Sequence, residues 1–308
     1  MIARIYYRTI VYTVFALLAF AGNSVLCRLA LNGDSGYTLD AISFTIIRLL
    51  SGIAALLLLV MFSQNNQSSH LCLDKPKTAA DTYWRVYSKH SVSALLLFIY
   101  MLGFSIAYIY LDTGVGALIL FSSVQITMII CSLLAGKRLH WTEWLGAVCA
   151  FFGFVYLIFP SLTEPSLSGF VLMTVAGIAW GLYTLKGQSS NHPLQDTMKN
   201  FTATLPLVLL LLLAYIFFSL QLSVYGVMLA VLSGVVASAI GYAIWYSALQ
   251  GLSSVQAAVV QLLVPVVAAA GGVVWSNEMI SLRLLLASVI VLGGLLLVVF
   301  GRHYFADS

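Results

Sequence analysis

Ten apolar stretches, each about twenty residues long, follow one another along the chain: 9–31, 41–62, 92–111, 114–136, 141–159, 167–187, 201–218, 224–249, 254–276 and 280–301. A helix rises ~1.5 Å per residue and the hydrocarbon core of a bilayer is ~30 Å thick, so ~20 such residues cross it once. Little chain remains for anything else. The one sizeable connection, 63–91, carries Gln64, Asn65, Asn66, Gln67, Asp74, Lys75, Lys77, Asp81 and Lys89, and is too short and polar to build its own core. Composition agrees: 61% of the 308 residues are hydrophobic and 8% are charged, far from the balance of a soluble domain. The expected fold is therefore an all-α membrane protein of ten transmembrane helices.

The first stretch is longer than a secretory h-region, and it reaches Arg28 without a small-residue cleavage site, so it reads as an uncleaved span. The net charge of +4 comes from residues scattered over loops rather than gathered on one face, which speaks against nucleic acid. Orientation accounts for them. With both termini cytoplasmic, Arg4, Arg8, Lys75, Lys77, Arg85, Lys89, Lys137, Arg138, Lys186, Lys199 and Arg302 fall inside, leaving Arg28, Arg48 and Arg283 toward the outside. The expected location is a bacterial inner (plasma) membrane. Cys27, Cys72, Cys131 and Cys149 show no CxxC or Cys/His spacing and read as packing thiols, so no metal and no cofactor is expected. Expected partners are the lipid bilayer and a small-molecule substrate, the protein being a monomer or homodimer.

The outward connection 160–166 (PSLTEPS) divides the spans five and five, giving repeats 1–163 and 164–308. An odd number of crossings per half makes the second start from the opposite side, so a duplication would be an inverted-topology repeat. Tyr108-Ile-Tyr-Leu111 leads into span 4 as Tyr246-Ser-Ala-Leu249 leads into span 9. Spans 5 and 10 finish alike, Gly153-Phe-Val-Tyr-Leu-Ile-Phe159 against Gly294-Leu-Leu-Leu-Val-Val-Phe300. The tetrapeptide SSVQ also occurs twice, at 122–125 and 253–256. Its copies lie 131 residues apart whereas Tyr108 and Tyr246 lie 138 apart, so the echo is out of register and reads as coincidence.

Together, Ile47-Arg-Leu-Leu50, Gly136-Lys-Arg-Leu139 with Trp144-Leu-Gly146, Ile178-Ala-Trp-Gly-Leu-Tyr183, Tyr246-Ser-Ala-Leu249, and Leu263-Val-Pro265 followed by Glu278 give the chain a family likeness. It resembles the ten-helix EamA branch of the drug/metabolite transporter superfamily over essentially its whole length. It departs from that pattern at Lys137, where the family usually has Glu, near Val124, where a first-half Pro would stand, and at Ala21, where Trp is common. The resemblance implies a transporter of small metabolites, such as amino acids or amphipathic compounds, working by export or exchange.

Every Asp and Glu falls in a loop or at a span end, and His70, His90, His140, His192 and His303 fall at or outside the membrane surface. Ion coupling must then use an end-of-span carboxylate, tyrosine or water, unless the protein works by facilitated diffusion or exchange. The same absence argues against an intramembrane enzyme, which needs a nucleophile with a base, a carboxylate pair or a metal. A channel or receptor-like sensor is the alternative to a carrier, although no glycine-rich filter or ring of like charges is present.

The candidate substrate-binding residues are Asn23, Arg48, Ser122, Gln125, Trp180, Tyr183 and Gln261, with Pro265 as a kink or hinge. Arg48 is the one charge well inside a span. At ~2.5–3.5 kcal/mol on insertion scales it must face protein or water, either as a clamp for a substrate carboxylate or as a structural arginine that snorkels outward or bonds helix-end carbonyls. Ser122, Gln125 and Ser132 form one stripe on span 4, which lines a cavity or bonds a neighbouring helix. Asn23 with Ser24 adds polar groups in span 1. Trp180, Tyr183 and Thr184 share a face of span 6 beside Gly177 and Gly181. Trp180 lies too deep for an interfacial belt, whereas Tyr242, Trp245 and Tyr246 suit one. Pro265 removes a backbone donor one turn after Gln261, so span 9 is expected to bend there, beside a cavity.

Overall fold

A computed structural model of the chain describes residues 2–31, 39–65, 79–136, 141–158, 166–215 and 222–275, and beyond them only positions 282, 286, 289, 290, 293, 294 and 297. The described residues are helical, with no strand among them. Helices α1 (Ile2–Leu31), α2 (Ala41–Asn65), α3 (Ala79–Tyr110), α4 (Thr113–Leu134), α5 (Trp141–Ile158) and α6 (Leu167–Gly187) are continuous. The remainder is interrupted: α7 (Pro193–Thr202) runs into α8 (Leu205–Tyr215), and α9 (Val224–Leu232) continues through a π-helical segment, Ser233–Ile240, into α10 (Gly241–Leu249). Finally α11 (Ser254–Val260) leads into α12 (Leu263–Trp275).

Eight described segments are long and apolar enough to cross a membrane: Tyr6–Leu31, Ala41–Ser63, Ser88–Tyr110, Thr113–Leu134, Leu167–Gly187, Pro193–Tyr215, Val224–Leu249 and Ser254–Trp275. Lipid supplies no hydrogen bonds, so the backbone must satisfy itself, and helices do this within one segment. The fifth expected span falls on α5, whose apolar stretch, Trp144–Gly153, is shorter than those eight. The tenth, 280–301, lies outside the described residues apart from the seven positions named. Span 7 begins earlier than its apolar run suggests, because Pro193–Thr202 is an amphipathic turn-in that carries Asp196, Lys199 and Asn200.

Boundaries follow local chemistry. Asp40 Oδ1 accepts from Ile42 N (3.0 Å) and Ser43 N (2.8 Å) at the start of α2, and Ser223 Oγ accepts from Gly226 N (2.9 Å) at the start of α9. Each capping oxygen satisfies amides that have no partner within the helix. After α4 the chain turns at Gly136, whose φ of +76° suits a residue without Cβ. Both interruptions precede a proline. Pro265 has no N–H for the carbonyl of Gln261, which instead accepts from Val264 N at 3.0 Å, so α11 and α12 part at 261–262. Thr204 N likewise donates to Phe201 O (3.0 Å) just ahead of Pro206.

Helix α6 packs between α3 and α4, with Gly177 so close to α4 that an added Cβ would sit 2.5 Å from Leu120 O. The π segment presses on α2 in the same way at Gly234. At one end of the bundle Arg28 Nη2 pairs with Asp112 (2.8 Å) and its Nη1 donates to Tyr108 O (3.0 Å), tying α1 to the α3–α4 turn. The two SSVQ copies do different jobs. Gln125 is buried within α4, whereas Ser253 and Gln256 form a reciprocal capping box that opens α11.

Candidate functional site

Trp180, 1% exposed, stands at the centre of an aromatic core assembled from four helices, α1, α3, α6 and α10. Its ring centroid lies 4.6 Å from Tyr242, 4.8 Å from Tyr100, 5.2 Å from Phe20 and 5.5 Å from Tyr183, on which it stacks. Tyr183 continues the array to Tyr246 at 5.2 Å. Each of these residues lies in the inner part of a long apolar helix, where a hydroxyl or indole N–H needs a protein partner. Trp180 Nε1 donates to Gln261 Oε1 (2.8 Å), and Gln261 Nε2 donates to Ala257 O (2.8 Å). Gln261 sits at the break between α11 and α12, where the missing proline donor loosens the backbone.

Arg48 closes one side of this core and is fully buried. Its Nε donates to Ser238 Oγ (2.8 Å), and its Nη2 donates to the hydroxyls of Tyr242 (2.7 Å) and Tyr100 (3.4 Å). The guanidinium carbon lies 5.6 Å from the Tyr100 ring centroid and 5.2 Å from that of Phe104, within cation–π range. Nη1 has no partner, and no carboxylate among the described residues pairs with the guanidinium. The snorkelling and helix-end-carbonyl readings are both corrected: Arg48 is held by side-chain hydroxyls from α3, α10 and the π segment. Ser238 reaches it from the π segment, a deviation that often marks functional sites.

Asn23 is buried and accepts from Ser233 Oγ (2.6 Å), joining α1 to the start of the π segment. On α4 the stripe divides. Ser122 is half-buried and donates to Leu118 O (2.9 Å), while Gln125 and Ser132 are buried with Gln125 Oε1 and Ser132 Oγ unpartnered, as is Ser24 Oγ on α1. Among the described residues no hydrogen-bond partner reaches those oxygens.

The assignment of Tyr242, Trp245 and Tyr246 to a belt is also corrected, since their exposures are 0%, 0% and 2%. Tyrosine and tryptophan suit belts because they are amphipathic, but here their polar atoms meet Arg48, Thr184 and Asn200 instead. His90 is half-buried near the start of the span Ser88–Tyr110. Its Nδ1 lies 2.7 Å from Asn200 Oδ1, and Asn200 Nδ2 donates to Tyr183 (3.3 Å) and Tyr246 (3.4 Å). Tyr100, Asn200 and Ser238 escape a reading by sequence. Tyr100 lies deep in span 3, as Trp180 does in span 6, which is a signal of the same kind, whereas Ser238 has none within Ser-Gly-Val-Val-Ala-Ser.

Of the seven candidates, Trp180, Tyr183 and Gln261 come together directly, and Arg48 joins them through Tyr100 and Tyr242. Asn23 connects through the π segment, while Ser122 and Gln125 lie on α4. No group of His, Cys, Asp and Glu able to hold a metal ion occurs among the described residues.

Comparison with known proteins gives a concordant answer. The model of the EamA-like transporter family matches residues 7–159 and 167–300. An uncharacterized protein of Pseudomonas aeruginosa is 44% identical over 295 residues, covering 96% of each chain. An Escherichia coli protein named "Probable amino-acid metabolite efflux pump" is 26% identical over 208 residues, 63% of this chain and 70% of that one. An uncharacterized transporter of Archaeoglobus fulgidus is 25% identical over 205 residues, 65% and 73% of the two chains. A solved crystal structure shares the fold with a TM-score of 0.65 at 17% identity, covering 92% of this chain and 96% of that one.

Proposed function

The chain belongs to the EamA-like transporter family and is an integral membrane transporter, and on that premise we propose that it is a carrier exporting or exchanging small amphipathic metabolites by alternating access. The reading includes ten transmembrane helices in two five-helix repeats of opposite topology, 1–163 and 164–308, in a bacterial inner membrane with both termini cytoplasmic. The lysine and arginine distribution supports that orientation. It also takes the protein not to be an enzyme, as membership of a transporter family implies.

One observation carries the proposal: a buried core of aromatic rings and uncharged polar groups, with Arg48 at its side, lies inside helices otherwise built for lipid. Such groups are costly in a membrane protein unless a solute uses them. Asn23, Arg48, Ser122, Gln125, Trp180, Tyr183 and Gln261 are assigned to the substrate, and the break ahead of Pro265 to the movement that admits it. The "amino-acid metabolite" of the Escherichia coli relative's name suggests substrates with a carboxylate and a side chain.

The test is counterflow of a radiolabelled metabolite panel into liposomes, comparing the wild type with Gln125→Leu and Trp180→Phe. Each replacement keeps most of the volume and removes one hydrogen-bonding group, so initial rates should fall about fivefold to tenfold with insertion unchanged. Unchanged kinetics in both variants would remove this site from the transport cycle.

A further inference from the structure

Arg48 carries a full positive charge at 0% exposure, and its hydrogen-bond and ring partners among the described residues are electrically neutral. Its three hydrogen bonds go to the hydroxyls of Ser238, Tyr242 and Tyr100, and Nη1 has none. Three carboxylates whose side chains are described have other partners: Asp40 accepts from amides at the start of α2, Asp112 pairs with Arg28, and Asp196 accepts from Ser190 (2.7 Å). All other Asp and Glu residues fall in loops or at span ends by sequence. A buried charge persists when it is paired, and among the described residues no carboxylate serves Arg48 as a counterion.

From this cluster we infer that the substrate is a net monoanion, a carboxylate bearing a flat aromatic group, for which Arg48 is the counterion; the inference deepens the transporter reading above and rests on it.

The chemistry follows from the groups in place. A carboxylate has two oxygens and pairs best with a guanidinium edge that presents two N–H groups. Nη1 is open, and Nη2 is held by neutral hydroxyls that a charged oxygen outcompetes, above all that of Tyr242. The rings of Tyr100, Phe104, Trp180 and Tyr242 adjoin the same side chain and offer flat faces to the rest of the ligand. Net charge sets the selectivity. A monoanion neutralises the site, a zwitterion leaves it at +1, and a cation raises it to +2, where like charges in a medium of low dielectric repel.

The test uses the full chain in lipid nanodiscs and four probes that share a phenyl ring: hippurate (anion), hippuramide (neutral), phenylalanine (zwitterion) and phenethylammonium (cation). Binding is read by calorimetry and by tryptophan emission. Hippurate is expected to bind about tenfold or more tighter than the other three, and Arg48→Gln should abolish that preference. Because Arg48→Gln risks misfolding, two further variants accompany it. Arg48→Lys should keep the ranking of the probes with weaker hippurate binding, and Tyr242→Phe, which frees Nη2, should leave hippurate binding as strong as before or stronger. Equal binding of hippuramide, preference for phenylalanine or phenethylammonium, or binding of none of the four overturns the inference. Counterflow with the same probes separates it from the reading beneath. Counterflow of phenylalanine with hippurate inert overturns the anion and keeps the transporter, whereas tight hippurate binding without counterflow of any solute keeps the anion and sinks the transporter.

Discussion

Replacing Gly234 by alanine would drive a methyl group into Arg48 O and Ser51 Oγ, where the π segment meets α2. The carbonyl is helix backbone and cannot move aside, so thermal unfolding in detergent should show a loss of about 1–3 kcal/mol, the usual cost of overpacking. Gly136→Ala has open space around its Cβ, and its penalty comes instead from the positive φ, about 1 kcal/mol. A similar contrast applies to the repeated tetrapeptide. Ser253→Ala removes the capping-box oxygen of α11 and should cost about 1 kcal/mol. Ser122→Ala removes only a bond back to Leu118 O within its own helix and should be nearly neutral. Equal losses at 122 and 253 would mean that the two copies share a role after all. Legibility at this scale depended on side-chain type. A lone arginine in an apolar run draws notice, but its partners Ser238 and Tyr242 lie 190 and 194 residues further along the chain.

The least regular elements are those around the candidate site. The π segment Ser233–Ile240 places Ser233 against Asn23 and Ser238 against Arg48, and it sets the rotation of Tyr242, Trp245 and Tyr246 beyond it. Deleting one residue inside it, for example Ala237, would turn the following helix by roughly 100° and carry those rings out of the core. The variant should insert yet show no transport, whereas a deletion in the exposed apolar stretch of α8 should be better tolerated. Pro265→Ala restores the donor that Gln261 O lacks and should join α11 to α12. If the break takes part in movement, transport slows while melting temperature rises; a rise with unchanged transport marks a static bend. Apolar run length located the helices well, because crossing a membrane demands it. It missed the first turns of span 7, where Asp196, Lys199 and Asn200 dilute the run, and nothing in Ser-Gly-Val-Val-Ala-Ser signals a π-helix.

At the scale of the whole molecule, hydrogen bonds among the described residues link helices near both ends of the bundle. Arg28 with Asp112 ties α1 to the α3–α4 turn at one end. At the other, His90, Asn200, Tyr183 and Tyr246 link α3, α7, α6 and α10, with Ser254 donating to Gln188 (2.7 Å) nearby. Between them lie the aromatic core, Arg48 and the open oxygens of Ser24 and Gln125. The proposed alternating-access carrier opens these ends in turn, so an Arg28→Cys, Asp112→Cys pair joined by oxidation to a disulfide should stop counterflow, with recovery when the disulfide is reduced. The central claim is that this core is reached alternately from the two compartments. The most direct measurement places one cysteine at Gln125, with the four native cysteines changed to serine, and follows its labelling by a membrane-impermeant maleimide applied from either side of oriented vesicles. The account predicts labelling from both sides, slowed on both by a transported solute; a cysteine unreachable from both, or reachable from one side alone, would contradict it.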